Sequence, residues 1–373
     1  MRTVEHIVVT GDFLRPVDRE FRPSQNENIR WLHRLLRGHV ERASGLPVRH
    51  LAWGEGLDPL PFYEAFGAEF SAAGWASFFA AEAVPPEVLE ALENRFGRAL
   101  VIGFELAEWC KAALSHLGIA FVDLSIHPVR FLPDVFFAAQ TNDPEIFAAL
   151  LPHHSDPDGF YGWADLLSAT AVKFAPELKL ESALLLVGQT RVDRSLVRGG
   201  ELLDLSHFAP ELQALQQRHR AFCFKPHPYG SGDFGLFTAG VPFRRVQMLK
   251  ANAYAALAQD GLREVVGISS SLLVEAPYFG KSATFLHRSP FDLAGAPGMA
   301  REGQHLSLVD RVLDADFWRD ILAPRLPVTA PDGRRFVLPP NTLRISLRNF
   351  WGFNELSSDF VVQLYQSGAA ARR

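Results

Sequence analysis

At 373 residues the chain is too long for one ordinary domain and long enough for two, each able to bury its own core. Its 48% hydrophobic and 21% charged content is that of a soluble globular protein, and 37 Lys plus Arg against 42 Asp plus Glu, net charge -5, exclude a global basic field for nucleic acid. Cys110 and Cys223 are the only cysteines and both sit in apolar runs, which fits a reducing compartment and excludes a disulfide framework. Charges at Arg2, Glu5, Asp12, Arg15, Asp18, Arg19 and Glu20 exclude the apolar core of a signal peptide. No segment reaches the length of about 20 apolar residues that spans a bilayer. The expected location is the cytoplasm, with peripheral attachment to the inner membrane left open.

Taken in order, the chain alternates strands and helices. His6-Ile7-Val8-Val9-Thr10-Gly11-Asp12 is a β-branched strand ending in a Gly loop, and 28–43 places Ile29, Leu32, Leu36 and Val40 on one helical face. Further strands are predicted at 48–53, 99–105 and 119–124, with helices at 86–94 and 111–117 between them. Glu105, Asp123, His127 and Arg130 fall at strand exits, where parallel sheets bind their ligands. A polar break at 151–162 and a helix at 163–174 lead to a second alternation. There the strands are 182–187, 221–224, 264–268 and 283–286, and the helices 211–219, 248–259 and 271–279. A terminal amphipathic helix is read at 355–366. The predicted fold is α/β, two doubly wound Rossmann-like domains facing a central cleft, in the GT-B-like plan. Residues 1–177, joined by 350–373, form the first domain and 178–349 the second.

Three stretches of the second half carry chemistry. In Ala221-Phe222-Cys223-Phe224-Lys225-Pro226-His227-Pro228 a buried strand stops at two prolines, which fix φ and hold Lys225 and His227 in extended geometry suited to an anion. Strand 182–187 opens at Gly188 into a loop bearing Asp193 between Arg191 and Arg194, and a carboxylate flanked by cations stays ionised. Ser269-Ser270-Ser271 sit where a strand gives way to a helix, so their hydroxyls and unpaired N–H groups suit an anion or a plain helix cap. Glu275, one turn on, reaches a ribose or completes a capping box. Asp314-Ala315-Asp316 imitates a metal motif but lies within 306–322, whose Val309, Val312, Leu313, Phe317 and Ile321 trace a helical core face. Adjacent His153 and His154 lack ligand spacing, so no metal is expected. Phe350-Trp351-Gly352-Phe353 reads as domain packing, and Arg334, Arg335, Arg344 and Arg348 as a solvated basic stretch.

The ordered set Gly-Gln-x-x-x-Asp-x-Ser at 188–195, Lys-Pro-His-Pro at 225–228 and Ser-Ser-Ser-x-x-x-Glu-Ala-x-x-x-Gly-Lys at 269–281 resembles capsule and lipopolysaccharide polysaccharide-biosynthesis glycosyltransferases. Among these it is most similar to the retaining β-Kdo transferases that use CMP-Kdo, although Pro277 interrupts a helix which that family continues. The resemblance implies transfer of Kdo from CMP-Kdo to a glycan or lipid-linked glycan acceptor, beside other polysaccharide-assembly enzymes and without a cofactor. It implies Asp193 as the nucleophile, and Gln189, Lys225, His227, Ser269, Ser270, Ser271 and Glu275 at the nucleotide site. Glu105 is then the first candidate for the base and Asp123 the second, while Arg130 or Arg191 matches the sugar carboxylate bidentately. The serine and His-Pro elements alone are also similar to bacterial sialyltransferases, which invert. A sugar-nucleotide epimerase or hydrolase, and a non-catalytic glycan-assembly subunit, share the plan and remain alternatives.

Overall fold

The computed structural model describes residues 3–16, 25–174, 178–227, 234–309, 311–331, 333 and 336–347. The first sheet starts with β1 (His6–Gly11), β2 (Val48–His50), β3 (Ala99–Phe104), β4 (Phe121–Ile126) and β5 (Phe137–Thr141). Around it lie α1 (Gln25–Ser44), α2 (Pro86–Phe96), α3 (Glu108–His116) and α4 (Pro144–Leu150). Strands β1 to β4 are mutually parallel where they pair, and β5 runs against β4. Helix α1 buries Ile29, Leu32, Leu36 and Val40 on the stripe read from the sequence.

The second sheet comprises β6 (Leu184–Val187), β7 (Phe222–Lys225), β8 (Val246–Met248), β9 (Glu264–Gly267) and β10 (Ser282–Phe285). All are parallel, in the order β8-β7-β6-β9-β10. They are accompanied by α5 (Gly159–Phe174), α6 (Ala209–Arg218), α7 (Ala253–Leu257) and α8 (Ser271–Glu275). The chain then returns through β11 (Leu306–Leu308), α9 (Ala315–Leu322) and α10 (Thr342–Ser346). Strand β11 pairs antiparallel with β5, giving a six-stranded first sheet of order β11-β5-β4-β3-β1-β2. The layout is GT-B-like, two α/β units each built on its own sheet.

Three local expectations are corrected. No strand is read at 137–141, because Phe-Ala-Ala-Gln-Thr lacks alternation and has Thr141 as its single β-branched residue; pairing with β4 and β11 makes it one. The expected helix over 248–259 is only Ala253–Leu257, since the Asn252 side chain accepts the Tyr254 N–H at 2.8 Å and caps it there. The helical face over 306–322 is a strand at Leu306–Leu308 followed by a helix from Ala315.

The division of the chain also differs from the one expected. Helix α5 packs with Val129, Phe131 and Leu132 on the second sheet, whereas Leu306, Leu308, Phe317 and Trp318 join the core of the first. We therefore place the crossover before residue 159 and the return before residue 306. The terminal helix at 355–366, the 350–353 aromatic cluster and Arg348, Arg334 and Arg335 lie outside the described residues. No helix among the described residues is long and apolar enough to cross a membrane.

Candidate active site

The second sheet supplies one wall. Gly188 follows β6, and its N–H donates to Lys225 O at 2.9 Å, so the loop lies flat against the end of β7. A Cβ at 188 would stand 3.2 Å from the Phe224 ring and 3.3 Å from His227 N, so the close approach selects glycine. Gln189 is buried, and its Oε1 accepts the Ser269 N–H at 2.7 Å while its Nε2 donates to Ser195 Oγ at 3.3 Å. Ser195 donates from both N and Oγ to Asp193 Oδ1, each at 3.0 Å, and Ser269 Oγ donates to Ser195 O at 2.6 Å. The Gln-x-x-x-Asp-x-Ser element and the first serine are thus one hydrogen-bonded knot that fixes the Asp193 carboxylate.

Ser270 and Ser271 are half-buried at the end of β9, and Ser270 caps α8 by accepting the Leu272 N–H. Lys225 and His227 are half-buried at the end of β7. All these groups lie at the carboxyl ends of three adjacent strands, β7, β6 and β9. Arg191 is exposed.

The first sheet supplies the opposite wall. A Cβ at Gly103 would stand 2.5 Å from Leu106 Cγ and 2.6 Å from Asp123 Oδ1. Its absence lets the chain fold back so that the Leu106 N–H reaches Asp123 Oδ1 at 2.9 Å. Inside that turn Glu105 is held at φ 52°, a left-handed conformation costing roughly 1 kcal/mol or more for a non-glycine residue. Asp123 is fully buried, and its Oδ2 lies 3.2 Å from Lys111 Nζ. Asp12, after β1, is buried too; its Oδ2 accepts the Trp75 indole N–H at 2.9 Å, and Oδ1 makes no hydrogen bond of normal geometry. Burial pushes the Asp12 carboxyl up to about 6, against the pull of Arg15.

Two arginines join the walls. Arg194, next to Asp193, places Nη1 3.5 Å from Ser125 Oγ and Nη2 3.5 Å from Glu108 Oε1. Burial works against its charge, but Glu105, Asp123, Glu108 and Asp12 together outweigh it and raise its pKa. Arg15 Nη2 donates to Val192 O at 2.6 Å and pins the same loop.

Arg130 comes from the first unit, after β4. Its guanidinium Nε and Nη1 are buried without a hydrogen-bond partner, in electrostatic range of Glu105, Glu275, Tyr254 and Asp193. Its backbone N–H donates to Glu275 Oε1 at 2.5 Å, and the Tyr254 hydroxyl donates to the same oxygen at 2.8 Å. Glu275 is therefore buried in a clamp between the units rather than standing open to a ribose, and burial pushes its carboxyl up to about 7.

Other marked residues serve the scaffold. His127 Nδ1 accepts the Val129 N–H at 3.1 Å, so Nε2 carries the proton and donates to Ser307 Oγ at 2.9 Å. His154 Nδ1 accepts the Ser307 N–H and its Nε2 donates to Gly295 O, while His153 meets Asp320 at 3.0 Å. Asp314 is buried and accepts the Phe336 N–H, and Asp316 pairs with Arg319. Among the described residues no group of three or more His, Cys, Asp or Glu side chains is arranged to hold a metal.

The fold thus gathers Asp193, Glu105, Asp123, Arg130, Gln189, Lys225, His227 and the serines at facing strand ends, and leaves Arg191 at the rim. Sequence reasoning missed Asp12 and Arg194. Asp12 carried a usable signal, because it leaves its strand as Glu105 and Asp123 do.

No protein-family model matches the chain, and no curated protein matches it. Among solved structures it is similar to Thermosulfurimonas dismutans KpsC, a beta Kdo 2,7 transferase, with 12% identity and a TM-score of 0.40, over 89% of this chain and 95% of that one. A likeness this distant assigns neither substrate nor mechanism.

Proposed function

We propose that this protein is a glycosyltransferase that moves Kdo, or a related acidic nonulosonate, from its CMP derivative to a glycan acceptor with retention, without a metal. The observation that carries the reading is a hydrogen-bonded Asp193 in electrostatic range of the Arg130 guanidinium, two of whose nitrogens are buried without partners. Unmet buried donors cost about 1–3 kcal/mol each, and a sugar carboxylate on the Nε/Nη2 or the Nη1/Nη2 edge would satisfy one of them while forming the fork guanidinium prefers. Arg130 is accordingly the carboxylate anchor.

In the first step an Asp193 oxygen bonds to the anomeric carbon while the carbon–oxygen bond to CMP breaks, its electron pair leaving on the phosphate. Lys225, His227, Ser270 and Ser271 would receive that charge, and preorganised donors of this kind are each worth about 3–4 kcal/mol. Gln189 and Ser269 serve the step indirectly, holding the Asp193 loop. In the second step an acceptor hydroxyl bonds to the same carbon, its proton passes to Glu105, and the Asp193 carboxylate departs. Glu105 suits this better than Asp123, whose Oδ1 is bonded to Leu106 and whose Oδ2 faces Lys111.

The test is Asp193→Asn with CMP-Kdo as donor. Transfer should fall by about 10³-fold or more with CMP affinity retained, and intact-protein mass measurement on the wild type should find the sugar on Asp193. Full activity in the variant removes the nucleophile. One observation favours a single inverting displacement instead: the Asp12 carboxyl is pushed up to about 6 with an unpartnered Oδ1, and in that reading it would be the base. NMR assignment of the product's anomeric configuration separates the two.

A further inference from the structure

Arg194 belongs to the second unit, yet its side chain ends in the first. It opens a short turn, Arg194–Leu196, capped by Asp193, and its guanidinium reaches Ser125 at the end of β4 and Glu108 at the start of α3. Only 13% of that side chain is exposed. Burying a cation is costly unless other groups answer its charge. Here four carboxylates of the first unit do so, in order of influence Glu105, Asp123, Glu108 and Asp12. The first unit also has cations of its own: Lys111 lies 3.2 Å from Asp123 and 3.3 Å from Glu108, Arg15 acts on Asp12, and Arg130 is in range of Glu105. Arg194 acts on all four acids, and it arrives from the other unit.

Both neighbours of Asp193 are therefore tied to the first unit. On one side Arg15 donates to the Val192 carbonyl at 2.6 Å, and on the other Arg194 spans Ser125 and Glu108. The Asp193 carboxylate between them is held by Ser195, which meets Gln189 and Ser269 of the second unit. Its own unit thus fixes how the carboxylate is turned, while the other unit fixes where the loop stands. That division matters for the reaction. Arg130, the anchor for the donor's carboxylate, comes from the first unit, so the distance from anchor to nucleophile is a distance between units. The Glu275 clamp fixes the Arg130 backbone, and Arg194 is the tie on the nucleophile's side. A nucleophile stands about 3–3.5 Å from the carbon it attacks, and a 1 Å misplacement costs on the order of 10²-fold in rate.

We propose that Arg194 is a positioning residue for the transfer: set among the acids of the first sheet, it fixes how far Asp193 stands from a sugar anchored on Arg130. This rests on the transfer reading above and deepens it. The nucleophile is in register only while the two units are apposed, so the chemical step depends on Arg194. CMP affinity does not follow it, because the groups assigned to the phosphate, Lys225, His227, Ser270 and Ser271, all belong to the second unit. Guanidinium is planar and always charged, and it forks between two acceptors; lysine at 194 keeps the charge and loses the two-point contact.

The experiment compares wild type with Arg194→Ala and Arg194→Lys in steady-state transfer from CMP-Kdo, in CMP titration and in amide hydrogen exchange. Arg194→Ala should lose about 10²-fold in kcat, with KM for the donor and Kd for CMP within about twofold of wild type. Millimolar guanidinium stands in for the missing group and should raise kcat of Arg194→Ala about tenfold, while doing nothing for wild type or Asp193→Asn. Arg194→Lys should melt as wild type does and recover only part of the lost kcat. With no substrate present, exchange at 192–196 should quicken in Arg194→Ala while β7 stays as protected as in wild type. A kcat within about twofold of wild type, a loss carried by KM instead, or a loss that guanidinium does not relieve overturns the positioning role. Should Arg194→Ala fail to fold, full kcat in Arg194→Lys overturns it. Wild type inactive with CMP-Kdo overturns the transfer reading; the exchange measurement then decides the tie between the units, and unchanged protection at 192–196 overturns that too.

Discussion

Replacing Glu275 by glutamine probes the clamp between the units. The carboxyl of Glu275 titrates at about 7 instead of its ordinary 4.5, chiefly because it is buried, with the bonds from Arg130, Tyr254 and Phe131 opposing the shift. Between those two values the folded protein holds a proton that the unfolded chain has released, so stability falls as pH rises. The contribution is fully present below about 4.5 and lost above about 7. At about 1.4 kcal/mol per pKa unit the change is on the order of 3 kcal/mol. The glutamine amide does not titrate, yet its carbonyl still accepts the Arg130 N–H and the Tyr254 hydroxyl. Urea unfolding of both proteins at pH 5 and pH 8 should show the wild type losing roughly 2–3 kcal/mol more than Glu275→Gln across that interval. Asp12 titrates in the same range but contributes equally to both proteins. Parallel pH profiles would refute the reasoning, and would mean that the carboxyl is ionised throughout and solvated or paired in a way the clamp does not provide.

Glu105→Gly should release the strain at φ 52° and leave the protein as stable as wild type or up to about 1 kcal/mol more so, while transfer falls about 10²-fold or further. A less stable Gly variant, or Glu105→Gln with full activity, would show that the residue is neither strained nor the base. Gly188→Ala puts a methyl 3.2 Å from Phe224 and 3.3 Å from His227 N, so it should cost about 1–3 kcal/mol and weaken CMP binding by displacing the His227 corner. Isothermal titration with CMP reads this directly, and an unchanged Kd would detach His227 from the phosphate.

Most of the second unit was legible because parallel strands buried on both faces read as unbroken apolar runs between turn residues. Leu184–Val187, Phe222–Lys225 and Glu264–Gly267 are where those runs lie, and Gly188, Pro226 and the serines mark their exits. The first-unit exits at Glu105 and Asp123 were legible for the same reason. The strands that escaped are short and take their identity from neighbours: Phe137–Thr141 lacks alternation, and Leu306–Leu308 is three residues inside a stretch with helical spacing.

Chain order alone therefore determined two α/β units and which loops end at their sheets, since hydrophobic period and turn chemistry act over a few residues. Tertiary structure decided which groups meet. Arg194 crosses to Glu108 and Ser125, Glu275 turns to Arg130, and His305 enters the first sheet beside Gln140, each across scores of intervening residues. Pairings of that kind depend on strand register and on where the chain re-enters a sheet, and neither leaves a periodic mark in the sequence.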